Sequence, residues 1–397
     1  MERNVEFGVF RSSLMYNLTK KIIRNNLINA FGSRTKRQIV AFESDDWGSI
    51  RMPSIVILNQ LIAKKIDFDF DLGFDTIDTI ESPSDLEHLY EILGSVRDKN
   101  NNAAVLTANC VVANPDFKKI KDSNYSEYHY ELITETMARY YPQSNPLMLW
   151  KQGIDHGVFY PQFHGREHLN VQLWLNLLHN DLCGSREAFC RTVFSQLMRI
   201  PNDSREHVLS AYDYRDESEQ RFIKNSINEG MRLFENLVGY RSTSAIAPCY
   251  VWDDFIEQCY LDEGIKYIQG GFFQHYSTYQ KKQTNKKGKY RFCGEKNKLG
   301  QYALVRNCHF EPSIYLNKDS VDECLNQIKI AFRWGKPAII STHRLNFIGA
   351  LNEKNRADNL KKLQTLLNQI VRQWSEVEFM TSDNVGNLLK EGYEGLS

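Results

Sequence analysis

Two groups of residues in this sequence have the composition of a metal site. Asp45 and Asp46 are adjacent and follow a short apolar run, and His164 and His168 lie four positions apart after another such run. Adjacent carboxylates repel each other unless a cation or a proton relieves them, and histidines four apart can share one face of a helical turn. Asp46 with the two histidines would supply three ligands and leave a fourth position open to water, which is typical of a catalytic zinc site.

Further titratable and aromatic residues follow other apolar runs. These residues are Cys249 with Tyr250, His309 with Glu311, and His343. In β/α barrels the reacting groups lie at the carboxyl ends of the strands. The order therefore predicts that all of these side chains meet at one rim of a barrel.

The elements that would position these residues follow from the periodicity. Eight apolar runs are predicted to be strands, at residues 38–42, 103–109, 157–163, 244–249, 265–269, 302–307, 337–342 and 377–381. Most are continuously apolar, as strands buried on both faces are, and amphipathic helical patterns lie between them. This alternation favours a parallel sheet, so the predicted fold is α/β: a distorted (β/α)7–8 barrel with helical insertions.

The chain is expected to contain one barrel domain and a short arm. The barrel would cover residues 38–397, with insertions near 114–156 and 180–240. Residues 1–37 would form a basic amphipathic arm, whose helix either packs against the barrel or makes a peripheral contact with a membrane. The lysine-rich stretch at 281–298 is predicted to be a mobile loop.

The composition excludes several classes of protein. The 397-residue chain carries 49 basic and 49 acidic residues, so no nucleic-acid partner is expected from its net charge. No apolar stretch approaches the ~20 residues that a transmembrane segment needs, and the first residues lack the pattern of a secretory signal. Eight cysteines without a C-x-x-C pair are typical of a reducing compartment, so a cytoplasmic location is expected.

The order of the motifs resembles that of the polysaccharide deacetylase family, the carbohydrate esterases with NodB homology. That family has an aspartate pair after its first strand, an H-x-x-x-H metal pair, a turn of proline and an aromatic residue, and a late histidine. The matching residues are Asp45-Asp46, His164 with His168, Pro248 to Tyr250, and His343, which occur in the same order over about 300 residues.

The resemblance implies a metal-dependent hydrolase that removes an N-acetyl or other acyl group from a saccharide in surface-polysaccharide metabolism. It implies one divalent ion, with zinc expected and cobalt or nickel as alternatives. The family's metal ligands fall on Asp46, His164 and His168.

The remaining roles follow from the same resemblance. Asp45 would act as the general base and His343 would protonate the leaving amine. The backbone N–H of Cys249 would stabilise the oxyanion. Three aromatic residues could stack on a sugar ring, namely Trp47, Tyr250 and Trp252.

The sequence departs from the family at the arginine that steadies the catalytic aspartate. Ile246 occupies that position. Arg241 or Arg306 could take over its role, and His309 and Glu311 could help to orient the site.

Three other functions stay open. One is a non-catalytic glycan-binding or assembly protein on the same barrel, and another is a glycoside hydrolase, which would need two carboxylates ~5–10 Å apart. The third is a metallopeptidase, because residues 164–168 also fit the H-x-x-E-H pattern. The peptidase would need both histidines inside a helix and Glu167 in the site as the base.

Overall fold

The computed structural model describes residues 19–66, 73–194, 208–316 and 318–394. Within these ranges the strands are β1 (Gln38–Trp47), β2 (Leu106–Cys110), β3 (Ala113–Pro115), β4 (Tyr130–Leu132), β5 (Phe159–Phe163), β6 (Ser244–Ile246), β7 (Tyr267–Gly270), β8 (Phe273–His275), β9 (Gly288–Tyr290), β10 (Tyr302–Val305), β11 (Cys308–His309), β12 (Ala338–His343) and β13 (Val377–Phe379). The helices of the same ranges are α1 (residues 19–30), α2 (Ile55–Ala63), α3 (Pro83–Gly94), α4 (Phe117–Asp122), α5 (Ile133–Tyr140), α6 (Pro146–Asp155), α7 (Val171–His179), α8 (Ser185–Phe189), α9 (Glu217–Val238), α10 (Asp254–Asp262), α11 (Thr278–Thr284), α12 (Ser320–Arg333), α13 (Glu353–Gln373) and α14 (Ser382–Glu394). Each of the eight predicted strands has a counterpart among them.

The central sheet is parallel and curls into a barrel. Its strand order is β10-β7-β6-β5-β2-β1-β12-β11, and β13 pairs with the first residues of β1. Only Arg306 and Asn307 separate β10, which pairs with β7, from β11, which pairs with β12. The segment 302–309 therefore joins both ends of the sheet, and the predicted distorted α/β barrel is confirmed.

Local signals in the sequence explain where several helices begin. Ser82 caps α3, because its side chain accepts a hydrogen bond from the Asp85 N–H while the Asp85 carboxylate accepts one from the Ser82 N–H. Pro83 follows at the first helical position, where its missing N–H costs nothing. The predicted start of this helix is therefore observed.

Two antiparallel hairpins extend the barrel beyond the ends of its strands. The hairpin β3–β4 begins three residues after β2 ends, and β8–β9 begins three residues after β7 ends. The second hairpin and α11 occupy part of the lysine-rich stretch at 281–298. The prediction of one continuous mobile loop there is therefore wrong.

Residues 19–30 of the N-terminal arm form a helix that packs against the barrel. Ile28 joins a core cluster with residues of β1, and the Asn29 Oδ1 accepts a hydrogen bond from the Asn307 Nδ2 at 2.8 Å. Ile22 and Ile23 on the outer side are exposed. A contact of this outer side with a membrane stays a prediction. Among the helices of the described residues, none combines the length and apolar character needed to cross a bilayer.

A buried arginine ties three segments together beneath the rim. Arg344, directly after β12, donates to the Asp78 Oδ1 at 2.9 Å, the Glu81 Oε2 at 2.9 Å and the Ser49 carbonyl at 2.7 Å. The Glu81 carboxylate also accepts from the Gly48 N–H after β1. This network joins the segments that follow β1 and β12, and the candidate site lies next to both of them.

Replacing Arg344 with methionine should destabilise the fold by about 3–5 kcal/mol, because Glu81 would be left buried without a counter-charge and Asp78 would keep only Arg51, 3.6 Å away. Urea denaturation followed by circular dichroism measures this loss. Lys354→Ala is the control, since it removes only an exposed pair with Asp358 and should leave the denaturation midpoint nearly unchanged. Equal losses in the two variants would contradict a structural role for the network.

Candidate metal centre

The end of β1 presents two adjacent carboxylates in different directions. The pairing of β1 with β2 shifts register between Ser44 and Trp47, and Asp46 has a φ of +77°. Left-handed backbone is unfavourable for a residue other than glycine and is typical of functional sites. Because of this bulge, Asp46 is directed to the two histidines and Asp45 is directed to Arg306.

Asp46, His164 and His168 converge on one buried point. The Asp46 Oδ1 lies 3.6 Å from the His164 Nε2 and 3.5 Å from the His168 Nε2. One ligand atom from each residue lies within 4.8 Å of the others. The Asp46 Oδ1 and the His164 Nε2 have no hydrogen-bond partner among the described residues. Unpartnered buried polar atoms cost free energy, and a divalent ion among them would satisfy both, so this donor set fits a metal.

Neighbouring groups hold these ligands in the form that binds a cation. The His164 Nδ1 lies 3.0 Å from the Ile246 carbonyl, which can only accept, so Nδ1 carries the hydrogen and Nε2 presents its lone pair. The Asp46 Oδ2 lies 3.1 Å from the Arg51 Nη2. Burial favours a protonated Asp46, but Arg51 and the neighbouring histidines together outweigh it and hold the pKa of this carboxyl well below its ordinary value. Burial also lowers the pKa of His168 far below its usual value, so its ring is neutral.

The two histidines are brought together by an irregular loop, so the predicted helical turn is wrong. Residues 164–170 directly follow β5 and contain no helix, and Gly165 has a φ of +117°. The Glu167 Oε2 accepts from the Arg166 Nε at 2.6 Å, and its Oε1 accepts from the Ser226 hydroxyl. Glu167 is thus engaged away from the histidines, and the requirements of an H-x-x-E-H peptidase are not met.

Asp45 is held by Arg306 rather than by the cluster. The Arg306 Nη1 and Nη2 each donate to one oxygen of Asp45 at 2.6 Å, and the Asn109 Nδ2 donates to Oδ1 at 2.8 Å. Burial favours protonation of Asp45, but Arg306 reverses this and keeps its pKa below the ordinary value. Of the two arginines predicted to steady Asp45, Arg306 is therefore the one that contacts it. Arg241 lies at the surface and pairs with glutamates there.

His343 lies on the other side of Asp45 and is polarised by a second carboxylate. Its Nε2 is 3.9 Å from the Asp45 Oδ2, and its Nδ1 is 2.7 Å from the Glu311 Oε1. Burial opposes the charged ring, but Glu311 outweighs it and the pKa of His343 is raised to about 9. Since 23% of its side chain is exposed, a substrate can reach this histidine.

The remaining predicted residues lie either at the rim of the barrel or in its core. Cys249 and Tyr250 form a tight turn after β6 with φ values of +55° and +56°, and the Tyr250 hydroxyl accepts from the Arg306 Nη1 at 3.2 Å. Trp47 and Trp252 are 1% and 2% exposed, and both belong to the main core cluster. The prediction that these two tryptophans stack on a sugar is therefore wrong. His309 lines a separate cavity beside α1.

Three residues around the site escaped the sequence prediction. Glu43 accepts from the Arg306 Nε at 2.7 Å, Asn109 donates to Asp45, and Arg51 holds Asp46. Glu43 lies two positions before Asp45, hence on the same face of β1, and Asn109 ends a predicted strand, so both carried a usable signal. Arg51 lies in a loop, and no periodicity marks it.

Comparisons with known proteins found matches among solved structures. No family model matches the chain, and neither does any curated protein. Solved structures that match include a candidate polysaccharide deacetylase from Mycobacterium smegmatis, with 10% identity, a TM-score of 0.45 and coverage of 91% of this chain and 92% of the other. The Puue allantoinase matches with 12% identity, a TM-score of 0.44 and coverages of 89% and 90%. The peptidoglycan deacetylase PdaC from Bacillus subtilis matches with 10% identity, a TM-score of 0.40 and coverages of 90% and 94%.

The purified chain should bind one zinc ion per molecule, measured by elemental analysis after loading and dialysis. Asp46→Asn and His168→Ala should each weaken zinc binding by more than the ~10–100-fold typical of losing an outer-shell partner. His309→Ala is the matched control and should bind zinc as the wild type does. Wild-type protein that holds no metal after loading would contradict the assignment.

Proposed function

We propose that this protein is a hydrolase that uses a bound divalent ion to remove an N-acetyl or other acyl group from a saccharide. One observation carries the proposal. Asp46, His164 and His168 converge with unpartnered ligand atoms, while the adjacent Asp45 is ionised and kept apart from them by Arg306. A ligand set beside a separate carboxylate is the arrangement that hydrolysis of an amide needs.

A divalent ion held by Asp46, His164 and His168 would polarise the acyl oxygen and lower the pKa of a water molecule. Asp45 takes the proton of the attacking water, since its low pKa keeps it ionised at neutral pH. Arg306 and Asn109 fix the orientation of both Asp45 oxygens. The general base therefore needs no rearrangement before it accepts the proton.

His343 supplies the proton that the leaving amine requires. Its raised pKa keeps the ring charged at neutral pH, and its Nε2 faces Asp45 across 3.9 Å. An acid and a base that face each other from adjacent strands can act on opposite sides of one reacting carbon. The N–H of Cys249, in the turn after β6 at the same rim, is the candidate donor to the oxyanion.

The saccharide class of the substrate rests on the resemblance in motif order, and the proposed setting is surface-polysaccharide metabolism inside the cytoplasm. Release of acetate from a panel of N-acetylated sugars, sugar nucleotides and glycans tests the reaction with zinc, cobalt or nickel added. If the protein binds metal and glycans but releases acetate from no compound in the panel, the non-catalytic glycan-binding function is favoured. Cell fractionation tests the location.

Substitutions of the two aspartates should have different effects on metal content and activity. Asp46→Asn should lose the metal and all activity. Asp45→Asn should keep the metal and the fold but lose about 10²–10⁴ in kcat, the usual worth of a general base. Acetate release and zinc content, measured on the same preparations, separate the two effects. If Asp45→Asn stays active while Asp46→Asn keeps its metal, the proposed roles are wrong.

The activity should also fall as His343 loses its proton above a pH of about 9. Glu311→Gln removes the carboxylate that raises the pKa of His343, so the alkaline limb of the kcat profile should move down by about 1–3 pH units. Glu323→Gln, which removes a carboxylate that pairs with Lys21, is the matched control and should leave the limb in place. An unchanged alkaline limb in Glu311→Gln would show that His343 is not the acid.

A further inference from the structure

A cavity lies beside the candidate site, between α1 and the start of α12. Its volume is about 350 Å³, which is within the usual range for ligand pockets. Glu311 forms part of its wall, and the same carboxylate contacts His343. The cavity and the candidate site therefore share one residue.

The lining of this cavity is strongly basic. Four cationic side chains contribute to it, namely Lys20, Lys21, Arg24 and Lys318. The first three lie on α1 at the spacing that places residues on one face of a helix. Two carboxylates also line the cavity, so two positive charges remain in excess.

The two carboxylates are already engaged by other groups. Glu311 is bonded through one oxygen to His343 and through the other to the Asn346 Nδ2 at 2.7 Å. Glu323 pairs with the Lys21 Nζ at 2.7 Å. Arg24 makes no ion pair or side-chain hydrogen bond within the described ranges of the chain. Its guanidinium is thus available to an anion.

Neutral donors complete the lining. The Ser320 Oγ has no hydrogen-bond partner among the described residues, although this residue is only 8% exposed. Burial, with a smaller contribution from the nearby Arg24, lowers the pKa of His309 to about 4. His309 is therefore a neutral donor here. An unpartnered buried hydroxyl on the wall of a basic cavity indicates a polar ligand.

We propose that this cavity binds a phosphate group. An excess of two positive charges suits a phosphate dianion or a pyrophosphate better than a single carboxylate, and arginine and lysine are the usual partners of phosphate oxygens. The phosphate can be borne by the saccharide substrate or be free in solution. The first source rests on the proposed function, and the second does not.

Calorimetric titration of the full-length protein with pyrophosphate and with inorganic phosphate tests the binding directly. Arg24→Glu and Lys318→Glu should each weaken binding by about tenfold or more, the usual worth of a hydrogen bond to a charged group. Lys286→Glu, an exposed position outside the cavity, removes the same charge and should bind as the wild type does. Asp46→Asn should also bind normally, because the cavity is separate from the metal ligands.

Kinetics then distinguish the two sources. If the substrate carries the phosphate, Arg24→Glu should raise KM about tenfold for a phosphate-bearing N-acetyl sugar and leave KM for the neutral sugar unchanged. If Arg24→Glu leaves KM unchanged for both sugars while its binding of phosphate is still weakened, free phosphate is the ligand. Absence of any acetate release would overturn the proposed function but not the cavity. The phosphate site itself is overturned if the wild type binds neither anion, or if Arg24→Glu and Lys286→Glu bind alike.

Discussion

The interaction on which the site depends is the one between Arg306 and two carboxylates inside the barrel. Glu43 and Asp45 lie on the same face of β1, and their repulsion in a buried interior would be severe without a cation. The Arg306 guanidinium reaches both, with Nε on Glu43 and the two terminal nitrogens on Asp45. Burial raises the pKa of Glu43, and the contact with Arg306 opposes this shift.

This arrangement separates the roles of adjacent aspartates. Asp45 is directed at Arg306, which donates to both of its oxygens, and it therefore does not point into the neighbouring cluster. Asp46, turned away by the bulge, has one oxygen on Arg51 and one without a partner. Each aspartate thus has its own arginine, and only one presents a ligand atom to the histidines. The difference between a base and a ligand arises from which cation holds each carboxylate, since the two side chains are chemically identical.

The sequence contained most of the site but not the interactions that organise it. Asp45, Asp46 and His343 could be found because they follow apolar strands, and the parallel barrel brings such ends together. His164 and His168 were found by their spacing, although a loop and not a helix unites them. The choice between Arg241 and Arg306 needed the three-dimensional fold, because both follow plausible elements and only one faces the interior. The prediction for Trp47 and Trp252 is wrong because the sequence does not distinguish an aromatic side chain that packs in the core from one that lines a sugar-binding site.

The break between β10 and β11 connects these features to the N-terminal helix. The Arg306 N–H bonds to Gly270 on the β7 side, and the next N–H, that of Asn307, bonds to Ile339 on the β12 side. The barrel thus changes partner strands across a single peptide unit, and the residue at this point is the arginine that holds Asp45. The Asn307 side chain replaces the missing ladder contacts and also bonds to Asn29 of α1. The same irregularity therefore places Arg306 inside the barrel and seats α1 outside it, so that the basic face of α1 closes a cavity against the wall formed by Glu311.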